Sequence, residues 1–330
     1  MAGAPPLRIL LSARTHDRIG AAIGQALDGR PFEAVIASPE HGREPGGVHL
    51  AFISRDVTGL STKHAIQEPL EAFYNSLRKS PGLQWVHVHS AGADRPIFAE
   101  LQGRGVRVTT SRGANAEVVA QTALAGILAL AREFPRLWRA QREHRWDALV
   151  RGRLPADLAG QTALVAGWGP IGQRIGAFLR MLGLNLIVAR SSAEPAGPGI
   201  ETVAFEQIHT AAPRCDWLVL ACPLTERTRR MVGSRSFAAL PAGARLVNVA
   251  RGEVVDEAEL IRALSSGRLA GAYLDVFEHE PLDPASPLWD LDNVIVTPHS
   301  AGHSDGNEAR VDGIFLEYLR QWAASPPAGA

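Results

Sequence analysis

Short apolar runs alternate with stretches of helical periodicity from the start of the chain. The first apolar runs, which predict strands, fall at 7–11, 32–36, 48–53, 84–89 and 106–109. The patterns that predict helices lie between them, at 19–27, at 63–80 and from Asp94. Because helices connect neighbouring parallel strands, this alternation predicts a small α/β domain over about the first hundred residues.

A second alternating region begins at 162–190, TALVAGWGPIGQRIGAFLRMLGLNLIVAR, which reads as strand, glycine-rich turn, helix and second strand. The first run is short and unbroken, as expected for a strand buried on both faces of a parallel sheet. Further apolar runs predict more strands of the same sheet, at 217–221, 245–249, 271–275 and 293–297, with a helix at 256–264. The second region therefore predicts a larger parallel α/β domain.

The segment 113–146 joins the two regions. Asn115 is expected to act as a helix N-cap, Glu117 falls in the first turn, and the chain is then apolar for four turns. Because this helix is apolar on all sides, we expect it to be buried all round. The polar continuation carries Trp138 and Trp146, which we expect to pack on the other domain or on a second subunit.

Composition limits the classes of function. The 330 residues suffice for about two domains, and the 34 basic and 34 acidic residues cancel, so we expect neither a nucleic-acid nor a membrane partner. Cys215 and Cys222 are the only cysteines, and we interpret both as reduced core thiols. The longest apolar stretch, 118–131, is too short to span a bilayer, and no signal peptide is evident, so we expect a cytoplasmic protein.

Three glycines follow the first strand of the 162–190 unit in the pattern G-x-G-x-x-G. Gly167 permits the tight turn, Gly169 lets a pyrophosphate approach the backbone, and Gly172 lets the helix pack closely on the strand. Pro170 suits the first helical turn, whose free N–H groups attract a phosphate. A glycine turn without a ligand is the alternative, but the strand before and the helix and strand after favour a dinucleotide site.

An arginine, a carboxylate and a histidine follow three successive strands of the second region. Arg251, Glu280 and His299 each allow a structural explanation, as a surface ion pair, a solvated acid and a turn residue. Together, at the carboxyl edge where such sheets bind ligands, they suit hydride transfer to a 2-oxo acid. Guanidinium binds a carboxylate with two hydrogen bonds, histidine donates a proton near neutral pH, and a carboxylate fixes the tautomer of the imidazole.

The residues Ser90 to Asp94 follow a predicted strand and precede a predicted helix. Their small side chains leave backbone N–H groups open to an anion, as in a phosphate-binding loop. An ordinary strand-to-helix turn is the alternative, and taken alone the segment favours that interpretation.

Histidine spacing suggests a metal site only weakly. His299 and His303 have the spacing HxxxH, and His87 and His89 share one face of a predicted strand. No third ligand is evident, and His299 already has a role, so we expect no metal site.

Several motifs together resemble the D-isomer-specific 2-hydroxyacid dehydrogenase family. They are the glycine pattern, CPLT at 222–225, LVNVARGEVVDEAELIRALSSGRLAG at 246–271, YLDVFEHEPL at 273–282 and TPHSAG at 297–302. The resemblance implies an α/β fold of two Rossmann- or flavodoxin-like doubly wound parallel-sheet domains. The substrate-binding domain would be discontinuous, formed by 1–109 and 300–330, and 110–299 would bind the dinucleotide.

The resemblance also implies roles for individual residues. Arg251 would bind the substrate carboxylate and carbonyl, Glu280 would pair with the catalytic His299, and Asp275 would contact the nicotinamide amide. The backbone of Ala91, Gly92 and Ala93 would bind the substrate carboxylate, which reverses the preference for an ordinary turn there. The other residues expected to line the cofactor are Pro170, Ile171, Cys222, Pro223, Thr228, Val249 and Ala250.

Arg190 departs from the NADH-using members of the family, which usually carry an aspartate at this position. Arg190 closes the second strand of the dinucleotide unit, where the side chain faces the adenine ribose. Its guanidinium, with the hydroxyls of Ser191 and Ser192, suits a ribose 2′-phosphate. A surface arginine is the alternative. We expect NADP(H) to be preferred and NAD(H) to remain possible as cofactor.

The resemblance implies reduction of a small 2-oxo acid, of the glyoxylate or hydroxypyruvate type, to the D-2-hydroxy acid. Glu280 separates the chain from the related formate dehydrogenases, which carry a glutamine there. A dinucleotide-sensing regulatory protein, like the corepressors of this fold, is the alternative, and the absence of long extensions favours the enzyme. We also expect a homodimer joined mainly through the cofactor domain, in which the segment Asn115–Trp146 reaches toward the partner.

Overall fold

In a computed structural model, the chain is described over residues 6–37, 47–63, 65–150, 154–192 and 194–324. It divides into two compact units, one formed by Met1–Ala114 with Ser304–Ala330 and the other by Asn115–His303. Each unit contains one sheet, and all strand pairs in both sheets are parallel. The predicted α/β class with two parallel-sheet domains, one of them discontinuous, is confirmed.

The first unit has a five-stranded sheet in the order β2-β1-β3-β4-β5. Its strands are β1 Leu7–Leu11, β2 Phe32–Ile36, β3 Leu50–Ile53, β4 Trp85–Val88 and β5 Arg107–Thr110. The helices of its first segment are α1 Ala13–Ala26, α2 Arg55–Thr58, α3 Glu68–Arg78 and α4 Pro96–Gly103. Ser12 begins α1 because its hydroxyl accepts the N–H of Thr15 at 3.0 Å, a usual N-cap bond.

The second unit has a seven-stranded sheet in the order β12-β11-β10-β9-β6-β7-β8. Its strands are β6 Thr162–Ala166, β7 Asn185–Arg190, β8 Glu201–Ala204, β9 Trp217–Leu220, β10 Arg245–Asn248, β11 Gly271–Leu274 and β12 Val294–Val296. Its helices are α5 Ala116–Ala131, α6 Phe134–Arg142, α7 Pro170–Met181, α8 Ile208–Ala211, α9 Ser234–Ala239 and α10 Glu257–Ser265. The strand order reverses beside β6, which is where doubly wound sheets form ligand sites.

The last helix, α11 Asn307–Ala324, returns to the first unit. Val311, Phe315, Leu319 and Trp322 recur at three- or four-residue steps, and all four are buried. The ring of Phe315 stacks on Phe52 with centroids 4.4 Å apart. Burial of this apolar stripe therefore completes the core on one face of the five-stranded sheet.

The joining segment fits the expectations only in part. Asn115 stands at the N-cap of α5, but its side chain accepts no capping bond, and its buried Oδ1 has no partner among the described residues. The helix is bent by 71° between α5 and α6, where Glu133 has a left-handed φ of 58°. Glu117, Gln121 and Ala125 leave one face of α5 exposed, so the helix is not buried all round within one chain.

The described residues include no single helix that is long and apolar enough to cross a membrane. The bent pair α5 and α6 passes that test of length and composition only when its two helices are taken together.

Candidate active site

The turn between β6 and α7 has no room for side chains at two of its glycines. Gly167 has a φ of 102°, and a Cβ there would lie 2.6 Å from the backbone of Ala221 and Cys222. A Cβ on Gly172 would lie 1.9 Å from the carbonyl oxygen of Gly167. Gly169 is the N-cap of α7 and provides no side-chain cap, so the first N–H groups of the helix remain for a ligand. This cradle fits the pyrophosphate of a dinucleotide.

Pro170 and Ile171 begin α7 directly after this cradle, and Ile171 is partly buried. Both therefore lie beside the place where a pyrophosphate would bind, as the sequence predicts.

The segment after β9 carries three of the predicted cofactor residues. Pro223 is exposed, whereas Cys222 is buried, and burial raises the pKa of its thiol to about 12. Thr228 is fully buried, and its hydroxyl donates to the carbonyl of Pro223 at 2.7 Å and accepts the N–H of Thr225 at 2.8 Å. Thr228 therefore shapes this loop from within, and its predicted part in cofactor binding would be indirect.

The turn after β10 positions Arg251. The side chain of buried Asn248 donates from Nδ2 to the carbonyl of Arg251 at 3.1 Å and accepts the N–H of Ala250 at 3.0 Å. Val249 and Ala250 are buried in this turn. A Cβ on Gly252 would lie 1.8 Å from the carbonyl carbon of Phe277, so the turn lies directly against the segment that leads to Glu280.

Glu280 and His299 form the centre of the candidate site. Nδ1 of His299 lies 2.7 Å from Oε2 of Glu280, and Oε1 accepts the N–H of Phe277 at 3.2 Å. Because a carboxylate only accepts, Nδ1 carries the proton in this bond, and Nε2 remains for a substrate. The imidazole is about half exposed, with 47% of the His299 side chain accessible to solvent, whereas only 20% of the Glu280 side chain is accessible.

Several groups keep Glu280 ionised. Burial acts to raise the pKa of Glu280, but the hydrogen bond and charge of His299, the Phe277 N–H and the positive charge of Arg251 outweigh it and lower the pKa. The carboxylate is therefore the charged partner of the imidazole at neutral pH. The turn of Arg251 packs against the segment that leads to Glu280, so the three predicted catalytic residues lie at the same edge of the sheet.

Asp275 holds the segment that carries His299. Its Oδ1 accepts the hydroxyl of Thr297 at 2.6 Å and the N–H groups of Ser300 at 2.8 Å and Ala301 at 3.0 Å. Burial raises the pKa of Asp275 despite these bonds. The backbone N–H of His299 also donates to the carbonyl of Asp275 at 2.8 Å, at a left-handed φ of 52°. The contact of Asp275 with the nicotinamide amide stays a prediction. Its hydrogen bonds to the segment that carries His299 were not predicted from the sequence.

The predicted 2′-phosphate residues lie at the end of β7. Arg190 is partly exposed and is the last residue of the strand, and Ser191 and Ser192 follow in a bend. Across the described ranges, the guanidinium of Arg190 has neither a carboxylate nor a hydrogen-bond partner. Arg190 thus places an uncompensated positive charge at the strand end that faces the ribose in dinucleotide folds.

The predicted substrate loop belongs to the first unit, at the carboxyl end of β4. Ala91, Gly92 and Ala93 are partly exposed there. The hydroxyl of Ser90 donates to the carbonyl of Gly92 at 2.7 Å, which fixes the turn, and Asp94 pairs with Lys63 at 2.8 Å. In the part of the chain that is described, no group of three or more histidine, cysteine or acidic side chains could hold a metal ion.

Comparisons with known proteins agree with this geometry. A family model described as D-isomer specific 2-hydroxyacid dehydrogenase, NAD binding domain, matches residues 124–301. A glyoxylate reductase from Korarchaeum cryptofilum is 32% identical over 77% of this chain and 76% of its own length.

Solved structures resemble nearly the whole chain. A D-isomer specific 2-hydroxyacid dehydrogenase from Xanthobacter autotrophicus Py2, in complex with NADPH and MES, is 30% identical with a TM-score of 0.73, covering 98% of this chain and 96% of that one. An NADPH-dependent glyoxylate/hydroxypyruvate reductase from Sinorhizobium meliloti, in complex with NADP and malonate, is 27% identical with a TM-score of 0.71. The match covers 98% of this chain and 95% of that one.

Proposed function

Because the chain belongs to the D-isomer specific 2-hydroxyacid dehydrogenases, a family of NAD(P)-dependent oxidoreductases, we propose that it reduces a small 2-oxo acid to the D-2-hydroxy acid. Glyoxylate and hydroxypyruvate are the substrates that we favour, since similar proteins are named as reductases of these acids. The observation that carries the proposal is the 2.7 Å pair of His299 and Glu280 beside the charge of Arg251.

The reaction adds a hydride and a proton across the carbonyl of the 2-oxo acid. The glycine turn of Gly167, Gly169 and Gly172 would hold a reduced nicotinamide dinucleotide, which would supply the hydride for the carbonyl carbon and leave in its oxidised form. His299 donates the proton from Nε2 to the carbonyl oxygen, which becomes the hydroxyl. Glu280 stabilises the imidazolium until that transfer, and Arg251 binds the substrate carboxylate.

Substitution of His299 tests this assignment. His299→Ala should lower kcat by about 10²–10⁴-fold, because the proton donor is lost. Turnover is measured on glyoxylate, hydroxypyruvate, pyruvate, 2-oxobutyrate and phenylpyruvate with NADPH and with NADH. His303→Ala, an exposed histidine in the same segment, is the matched control and should keep full turnover.

Wild-type turnover by His299→Ala on every acid would refute the assignment. A wild-type protein that binds the dinucleotide but reduces none of these acids would instead favour a sensing role.

The cofactor that we propose is NADP(H), on the basis of Arg190. A guanidinium holds a 2′-phosphate with two hydrogen bonds, whereas an acidic side chain there would repel it. Comparison of kcat/KM for NADPH and NADH tests this preference, and Arg190→Asp should invert the ratio. Arg180→Asp, the same charge reversal on the exposed face of α7, should leave the ratio unchanged. Equal use of both cofactors by the wild type would show that Arg190 does not contact the phosphate.

We also propose a homodimer that uses the exposed surface of α5 and α6. Phe134 and Trp138 pack with ring centroids 5.7 Å apart and remain 42% and 44% accessible, and Trp146 is 89% accessible. Large exposed apolar side chains in a cluster are typical of an interface. Sedimentation velocity should give twice the 35.3 kDa of one chain, and Trp138→Asp should shift the distribution toward the single chain. A single-chain species alone for the wild type, at micromolar concentration, would contradict the proposal.

A further inference from the structure

One side chain connects the glycine turn to the loop that carries Ser191 and Ser192. Trp168 is the second residue of the G-x-G-x-x-G pattern, and its indole Nε1–H donates to the carbonyl oxygen of Ala196 at 3.0 Å. Ala196 belongs to the loop between β7 and β8, of which Ala193 alone is not described. The proposed pyrophosphate turn and the proposed 2′-phosphate loop are therefore joined by a direct hydrogen bond.

The indole is held in one position by its neighbours. A Cβ on Gly176 would lie 2.6 Å from Cη2 of Trp168 and 3.2 Å from Cδ1 of Leu186. Gly176 lies on α7 and Leu186 lies on β7, so the ring occupies the space that the missing side chain leaves between helix and strand. The ring can reach Ala196 in this way because position 176 is a glycine.

The peptide at Ala196 is also fixed from the opposite side. Its N–H donates to the hydroxyl of Thr202 at 2.9 Å, and that hydroxyl donates in turn to the carbonyl of Ile200 at 3.3 Å. Thr202 lies on β8. The described residues of the loop include Pro195, Gly197, Pro198 and Gly199 and form no helix or strand, and the two bonds of Ala196 connect the loop to the glycine turn and to β8.

We propose that Trp168 is a positioning residue for the adenosine end of the cofactor, and that it sets the preference for a phosphorylated ribose. Its bond to Ala196 holds the loop at the distance from the glycine turn at which Ser191 and Ser192 meet a 2′-phosphate. NADH carries only a 2′-hydroxyl at that place, so its binding depends less on the loop. The inference rests on the proposed NADP(H) preference.

Two variants weaken the connection from its two ends. Trp168→Phe keeps an aromatic ring but removes the N–H, and Thr202→Val removes the hydroxyl on the other side of Ala196. Each should lower the ratio of kcat/KM for NADPH to that for NADH by about 3- to 10-fold, the equivalent of one hydrogen bond. The change should appear in the KM for NADPH, and kcat at saturating cofactor should stay at the wild-type value, because the reacting end of the cofactor is untouched.

Two further variants complete the test. Gly176→Ala should act in the same direction as Trp168→Phe, since the added methyl group displaces the indole without removing its N–H. Thr210→Val is the matched control, because the hydroxyl of Thr210 bonds to Gln207 within its own exposed turn and, in the described part of the chain, to no other group. It should keep the wild-type ratio.

The outcomes separate this inference from the proposed function. A wild type without preference for NADPH overturns both. A wild type that prefers NADPH, with Arg190→Asp inverting the ratio but Trp168→Phe and Thr202→Val leaving it unchanged, overturns the role of Trp168 alone. An equal fall in kcat/KM for both cofactors also overturns it, because that pattern reports general loss of structure.

Discussion

His87 makes the stability of the first unit depend on pH. It lies on β4 and is fully buried, and its Nδ1 and Nε2 are 2.8 Å and 2.9 Å from the hydroxyls of Thr109 and Ser111. The rings of Phe52 and Phe315 lie beside it, with centroids 5.5 and 5.7 Å away. Burial, with a smaller effect from the charge of His89, lowers the pKa of His87 from 6.5 to about 3.

The sign and size of the effect follow from this shift. Between pH 6.5 and 3 the unfolded chain binds a proton at this histidine and the folded chain does not, so acidification favours unfolding. Each pH unit in that window removes about 1.4 kcal/mol, so about 2 kcal/mol is lost by pH 5. His87→Gln cannot titrate, and we expect the stability difference between wild type and variant to narrow by that amount between pH 7.5 and pH 5.

Pulse proteolysis along a urea gradient measures this difference in the unit concerned. Cleavage within 6–110 is followed by mass spectrometry, because the two units need not unfold together. His303→Gln, an exposed histidine, should show no such narrowing. An equal stability difference between wild type and His87→Gln at both pH values would refute the reasoning, since His87 would then bind a proton equally well in both states.

Two more predictions concern the candidate site. Glu280→Gln keeps an oxygen that can accept the His299 N–H but removes the negative charge that holds the proton there. As pH rises, 2-oxo acid reduction should therefore begin to decline at a lower pH than in the wild type, and an unchanged pH profile of kcat would contradict the pairing. Gly172→Ala should weaken NADPH binding by more than about tenfold in fluorescence titration, because its Cβ would lie 1.9 Å from the Gly167 oxygen. Gly313→Ala on α11 is the control, since no neighbouring atom lies within 4 Å of the new Cβ, and it should bind NADPH normally. Normal NADPH binding by Gly172→Ala would count against the proposed pyrophosphate cradle.

The buried strands were predictable because their apolar runs coincide with their hydrogen bonding. The runs at 7–11 and 32–36 match β1 and β2 at both ends. Strand β8 was missed, since it lies at the sheet edge, is only partly buried and begins with Glu201, so no apolar run marks it. The bend before α6 had an available signal in Pro135, which suits the first turn of a new helix rather than the middle of a long one.

The family resemblance inferred from the motifs is confirmed by the family model and by a relative that is 32% identical over 77% of this chain. Arg251, Glu280 and His299 could be read from the sequence because each follows a strand of one parallel sheet, which places them at one edge. Asn248 bonds within its own turn, whereas Asp275 acts through hydrogen bonds to the backbone N–H groups of Ser300 and Ala301 in another turn. Partners of this kind depend on tertiary geometry and leave no periodic pattern in the sequence.

The return of α11 to the first unit determines when that unit can be completed during synthesis. The second unit is one continuous segment, so all of its strands have been made before α11 leaves the ribosome. Until then, Phe52 lacks the stacked ring of Phe315, and Arg18 lacks the carboxylate of Asp312, which it binds at 2.6 and 2.9 Å. The part of the chain translated first is therefore the part whose core closes last.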